Sequence, residues 1–122
     1  MSSLRIEQID GQPVAHVSED IDAANAATIQ QQLAEALEPD ALSLIIDLSE
    51  TRYVDSAGID MLLRLSDRLD YRRARLVLVI PDSSQLKRLA AIVGMPQAVA
   101  IHPSVPDALG EATRSRARST PD

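Results

Sequence analysis

Three aspartates close together in the chain, Asp47, Asp55 and Asp60, are the first residues whose type and spacing could do chemistry. Paired carboxylates carry out acid–base work or hold Mg²⁺. Here no histidine, lysine or glycine-rich loop lies beside them to complete such a site. The simpler expectation is that Asp47 ends a strand, while Asp55 and Asp60 favour the positive end of a helix dipole. His16 and His102 are far apart, and neither has an acid at ligand or triad spacing in the sequence, which predicts packed or surface histidines. Gly58 stands without a following Gly-Lys-Ser/Thr, so the phosphate-loop pattern is absent. With no cysteine there is no disulfide, thiolate metal site or cysteine nucleophile. The sequence predicts no catalytic residue, no metal and no cofactor.

That leaves a hydroxyl. Ser56 lies in the stretch LIIDLSETRYVDSAGIDMLLRLSDRL (residues 44–69), where an apolar run breaks into polar residues and turns into a helical pattern. Serine is among the best helix N-caps, worth about 1 kcal/mol, and a cap alone would account for it. Ala57 and Gly58 keep the surface around it low and open to a kinase. A phosphate there gains ~0.3–1 kcal/mol from the helix dipole, and Asp55 and Asp60 oppose it by a similar order, so the fold changes little. In a buried interface the same dianion costs several kcal/mol when no cation meets it, which is about two or three powers of ten in affinity. Chemistry permits a switch at Ser56 without demanding one.

Alternating and helical periods supply the elements that would hold these residues. Residues 4–9 (LRIEQI) alternate as a half-buried strand, Asp10-Gly11 is a favoured hairpin pair that Gln12 and Pro13 lengthen, and residues 14–17 return. Asp22 is placed to cap a helix over residues 23–37, whose apolar face is Ala26, Ile29, Leu33, Ala36 and Leu37. Residues 42–48 are too apolar to have a wet face and read as a strand covered on both sides. The next helix spans residues 57–71 with Ile59, Leu62, Leu63, Ser66 and Leu69 as its stripe. Met61 and Leu65 lie off it, as extra core or as an apolar patch that wants a partner. Residues 75–80 (RLVLVI) form the most apolar strand, placed centrally. Asp82 and Gln85 have the form of a capping box before a helix through Leu86, Leu89, Ala90 and Val93, closed by Gly94. Residues 98–101 form a short strand, and Ser104 with Asp107 opens a last helix. The order β-β-α-β-α-β-α-β-α predicts an α/β domain over residues 1–112: one mixed, mostly parallel sheet opened by an antiparallel hairpin, with four helices. Residues 113–122 are expected to be an unstructured tail.

Composition narrows the function. The chain has 122 residues, a net charge of −6, no Phe or Trp, and Tyr53 and Tyr71 as its aromatics. Direct nucleic-acid binding would need a basic footprint or stacking platforms; Arg72, Arg73 and Arg75 sit at a helix end, where cations complement the dipole. Nothing resembles a signal peptide or a membrane span, which makes a cytoplasmic domain without membrane insertion the expectation.

Residues 48–59 (LSETRYVDSAGI) resemble the central motif of the STAS-domain anti-sigma factor antagonist family: an aspartate, a serine, a small or hydroxyl residue and a glycine, after a strand ending near "DL". Ile21-Asp22 before an alanine-rich helix resembles that family's G-E-(I/L)-D segment. Residues 83–94 (SSQLKRLAAIVG) resemble its penultimate helix, so the likeness spans about residues 4–112. The resemblance implies a STAS fold and a non-enzymatic role in transcription regulation, as in a stress response. The unphosphorylated form would bind an anti-sigma factor serine kinase and free the sigma factor. Phosphorylation of Ser56 would end that interaction, and a phosphatase would reset it; a homodimer is allowed. The partner-binding residues it implies are Asp22, Asp55, Ser56, Ala57 and Gly58, with Met61 and Leu65 as apolar contact area. Ala57 departs from the more usual hydroxyl residue, and Ser18-Glu19-Asp20 stands where the family has glycine before its acidic pair. Two alternatives stand beside this: a STAS accessory subunit of a lipid-transport ATPase that never meets a kinase, and a small Mg²⁺- or nucleotide-binding protein using Asp47, Asp55 and Asp60.

Overall fold

A computed structural model of the chain describes the backbone of residues 4–119 and the side chains of residues 4–112. Strands β1 (Leu4–Ile9) and β2 (Gln12–Val17) form the opening hairpin. Asp10 and Gly11 both take positive φ, 52° and 80°, the conformation a two-residue hairpin turn requires. Ile9 faces Gln12 across it, so Gln12 and Pro13 lie in β2 rather than in a longer loop. Helix α1 (Ala26–Ala36), β3 (Ser43–Asp47), α2 (Ser56–Tyr71), β4 (Arg75–Val79), α3 (Gln85–Ile92), α4 (Met95–Ala98), β5 (Ala100–His102) and α5 (Val105–Ser119) follow. The five strands lie in the order β1-β2-β3-β4-β5. Pairing is antiparallel between β1 and β2 and parallel from β2 onward. The expected class therefore holds, with β3 rather than β4 at the centre.

Alternation along the strands sorts their side chains onto two faces. One face, with Ala15, Leu44, Ile46, Leu76 and Leu78, packs under α1 to α4 through residues such as Ile29, Leu33, Leu62, Leu86 and Met95. The other, with Val14, Ile45, Val77 and Val79, packs under α5 through Ala108 and Ala112. Both sides of the central strands are covered, as their apolar sequence requires.

Several boundaries differ from the sequence pattern for local reasons. Helix α1 starts at Ala26 with Asn25 as its N-cap residue, because Asp22 is spent on the turn before it, where its Oδ1 accepts from the Ala24 amide at 2.9 Å. Helix α3 is capped by Ser84, whose hydroxyl accepts from the Leu86 amide at 3.1 Å; Asp82, expected as the cap, pairs with Lys87. Gly94 ends α3 in the left-handed region (φ 76°) and starts the extra helix α4, where a proline with preset φ occupies the first turn. Val93, expected in the buried stripe, is turned outward there. Helix α5 runs to Ser119, through residues 113–119 of the expected tail; residues 120–122 of it lie outside the described residues.

Helix α2 carries the correction that matters most. Its buried residues are Gly58, Met61, Leu62, Leu65, Ser66 and Leu69, a stripe rotated from the one its sequence suggests. The helix contacts α1 and α4 as well as β4, so its apolar face is wide. Met61 and Leu65 are only 4% and 2% exposed and belong to the core, not to a surface patch.

Candidate functional site

The N-terminus of α2 is assembled from two loops that meet through backbone bonds. Ile21 and Val54 form a parallel bridge: the Ile21 amide donates to the Tyr53 carbonyl at 3.1 Å, and the Asp55 amide donates to the Ile21 carbonyl at 3.0 Å. Asp20 reinforces the junction, its Oδ1 accepting from the Arg52 and Tyr53 amides at 3.1 Å each. Asn25 closes the other side, donating from Nδ2 to Glu19 Oε1 (2.7 Å) and to the Asp20 carbonyl (2.8 Å), and accepting from the Asp22 amide at Oδ1 (2.8 Å). Thr51 is buried and donates to the Val17 carbonyl at 3.1 Å. Residues 19–25 and 51–55 thus form one bonded platform beneath the start of α2.

Asp55, not Ser56, is the N-cap. Its extended backbone (φ −82°, ψ −176°) and its Oδ1, which accepts from the Gly58 amide at 3.0 Å, meet the requirements of a cap. Its Oδ2 accepts from the Ala23 amide at 3.3 Å and so ties in the neighbouring loop. Ser56 is the first residue of α2, exposed, and its hydroxyl has no hydrogen-bond partner among the described residues. The hydroxyl carries no structural duty there.

Gly58 explains its own place in the motif. A Cβ on it would sit 2.5 Å from Val54 Cγ1 and 2.8 Å from Ile21 Cγ2, so only glycine lets the helix approach the bridge. Gly58 is buried and Ala57 half-buried. Of the residues expected to meet a partner, Asp22 and Ser56 are exposed, and Asp55 is half-buried and engaged as the cap.

The carboxylates that invited a catalytic reading are engaged separately. Asp55 caps α2, and Asp60 pairs with Arg64 one turn on at 2.8 Å. Asp47 lies on the sheet face, where Oδ2 bonds His16 Nδ1 at 2.7 Å and Oδ1 accepts from the Ser49 hydroxyl at 2.5 Å. Burial pushes the Asp47 carboxyl up, but the bonds from Ser49 and His16 outweigh it and hold the carboxyl below its ordinary value. No group of three His, Cys, Asp or Glu residues that could hold a metal occurs among the described residues.

Both histidines have acidic partners, contrary to the expectation from spacing. His16 also bonds Glu7 Oε1 through Nε2 at 2.7 Å, and His102 Nε2 bonds Glu111 Oε1 at 2.5 Å. The register sets Arg5 opposite His16 and His16 opposite Asp47, a juxtaposition no sequence spacing shows. Sequence patterns do not single out Asp20 or Thr51 for these roles; for Asn25 the signal is an asparagine just before an alanine-rich helix.

Among the described residues, no helix is long and apolar enough to cross a membrane. The model of the STAS domain family matches residues 3–108. Solved structures that share the fold include three from different settings. An anti-sigma factor antagonist from Mycobacterium paratuberculosis has a TM-score of 0.75 and 24% identity, with 90% of this chain and 92% of that one covered. The Bacillus cell fate determinant SpoIIAA in its phosphorylated form has a TM-score of 0.64 and 14% identity, over 88% and 97% of the two chains. The murine solute carrier 26 family member A9 anion transporter has a TM-score of 0.75 and 23% identity, over 88% of this chain but 18% of that one.

Proposed function

We propose that this chain, which belongs to the STAS domain family, is an anti-sigma factor antagonist switched by phosphorylation of Ser56. In this reading the unphosphorylated chain binds an anti-sigma factor that is also a serine kinase and so releases the sigma factor. The kinase moves the γ-phosphoryl group of its ATP onto Ser56 Oγ: the new O–P bond replaces the hydroxyl O–H, and ADP and the proton leave. A phosphatase hydrolyses the ester and restores the hydroxyl. The chain itself binds rather than catalyses, contacts no nucleic acid and acts in the cytoplasm.

One observation carries the reading: Ser56 is an exposed hydroxyl relieved of capping by Asp55, at the edge of a rigid platform. A kinase can take it without unpicking the fold. A phosphate adds roughly −1.5 to −2 charges; the helix N-terminus favours it by ~0.3–1 kcal/mol, and Asp55 and Asp60 oppose it. The fold is left nearly unchanged, whereas a partner packed over Ser56 must desolvate a dianion at a cost of several kcal/mol. Asp22, exposed on the loop that Asp55 ties to the helix, is assigned to the rim of the same face. Likeness of fold to a phosphorylated SpoIIAA supports the reading.

The test is direct. The purified chain is incubated with candidate anti-sigma factor kinases and ATP, and the product is mapped by mass spectrometry. The expected result is one phosphate, on Ser56, absent from Ser56→Ala. Labelling by none of the kinases, together with a Ser56→Glu chain that binds every partner as well as the native one, would remove the reading. A second reading, a subunit of a transporter in which Ser56 is only a contact residue, has the fold of the anion transporter's segment behind it; it predicts binding to a transporter and no labelling.

A further inference from the structure

A shallow groove runs from the loop before α2 onto the outer side of α3. Arg52 and Tyr53 form one wall, and Gln85, Arg88, Leu89 and Ile92 form the other. The α3 residues recur at spacings of three and four, so they share one face of the helix. Exposed apolar area lies on both walls: Ile92 is 74% exposed and Tyr53 is 55% exposed. A lone exposed apolar residue means little, but an aromatic and an isoleucine lining one groove are a patch. The groove begins at Arg52 and Tyr53, on the loop that leads three residues later into Ser56. Leu86 and Leu89 line both the groove and the narrow crevice against Ile59, on the first turn of α2.

Charge says what fits. Lys87 and Asp82 at the rim answer each other, while Arg52 and Arg88 are exposed and have no ion-pair partner among the described residues. The chain carries 18 acids against 12 lysines and arginines, and here two unanswered arginines flank an apolar centre and give the groove a positive rim. Tyrosine and arginine around a hydrophobic anchor are also the residue types that dominate binding energy at interfaces.

We propose that the partner which reads Ser56 also lays an amphipathic acidic segment in this groove, an apolar side chain between Tyr53 and Ile92 and carboxylates on Arg52 and Arg88. The inference rests on Ser56 being the centre of the partner-binding face, and it adds a second contact zone of opposite charge. The face then has two parts: an acidic part around Asp22, Asp55 and Asp60, which phosphorylation makes more negative, and a basic, apolar part that phosphorylation does not touch. The groove sets affinity and partner choice; Ser56 sets whether the complex survives.

Calorimetry on the full chain and a purified anti-sigma factor that phosphorylates it separates the two claims. Ile92→Asp and the double variant Arg52→Glu/Arg88→Glu should each weaken binding by about tenfold or more, with thermal melting unchanged because all three side chains are exposed. The charge reversal should lose more at low salt than at high salt. Binding of both variants within about twofold of wild type, alongside loss of binding by Ser56→Glu, overturns the groove and leaves the Ser56 reading standing. A wild-type chain that binds none of the anti-sigma factors overturns both.

Discussion

Ser56 and Asp55 are adjacent, chemically similar as caps, and opposite in role. Asp55 takes the cap, so removing its carboxylate should destabilise the chain by about 1 kcal/mol, whereas Ser56→Ala should leave urea denaturation unchanged. Equal midpoints for Asp55→Ala and wild type would contradict the assignment. The proposed switch at Ser56 needs a site that is neutral to stability, since the modified chain would have to stay folded to be reset. Asp47 supports a second residue-level prediction. Its carboxyl is held below its ordinary value in the folded chain, so its stabilisation is complete above the unfolded pKa of about 3.9 and is lost as pH falls through the lower folded value. Denaturation midpoints measured from neutral pH down should show the difference between wild type and Asp47→Asn shrinking below about pH 4. A difference that stays constant through that range would exclude the mechanism.

Elements explain why some of this could be read in the sequence and some could not. The hairpin, the alternation of strands with helices and the two-sided burial of β3 and β4 follow from local periodicity, and they were legible. The cap was not, because Asp55 and Ser56 are both good caps. The choice is made by the bridge from Ile21 to Val54, which fixes where the chain enters the helix. The buried stripe of α2 was misplaced because a periodic pattern gives a direction only when one neighbour is covered, and α2 has several. Met61 shows the consequence: as core, Met61→Ala should cost about 2–5 kcal/mol in urea denaturation, where a surface contact would cost almost nothing. Gly58 was legible as a motif residue but not as a packing one. Gly58→Ala gains helix propensity of about 1 kcal/mol, yet it must push its methyl into Ile21 and Val54. We expect a net loss of stability of about 1–3 kcal/mol, read from the denaturation midpoint; a stabilised variant would mean that the bridge yields.

At the scale of the whole molecule, the proposed working end is the junction where two loops and the first turn of α2 meet, with α3 alongside. The sheet sets the distance between these parts, and its two covered faces leave the platform little freedom to deform. The titratable pairs of the opposite face, His16 with Glu7 and Asp47 and His102 with Glu111, tie β1, β2, β3, β5 and α5 together and serve stability. In the proposed reading, regulation acts on affinity rather than on folding. The most direct measurement compares the unphosphorylated and Ser56-phosphorylated chains side by side, by calorimetry against the anti-sigma factor kinase and by thermal melting. Affinity should be lower by about two to three powers of ten for the phosphorylated chain, with the two melting curves superimposed. Equal affinities, or a loss of binding that comes with a collapse in melting temperature, would contradict the proposed switch.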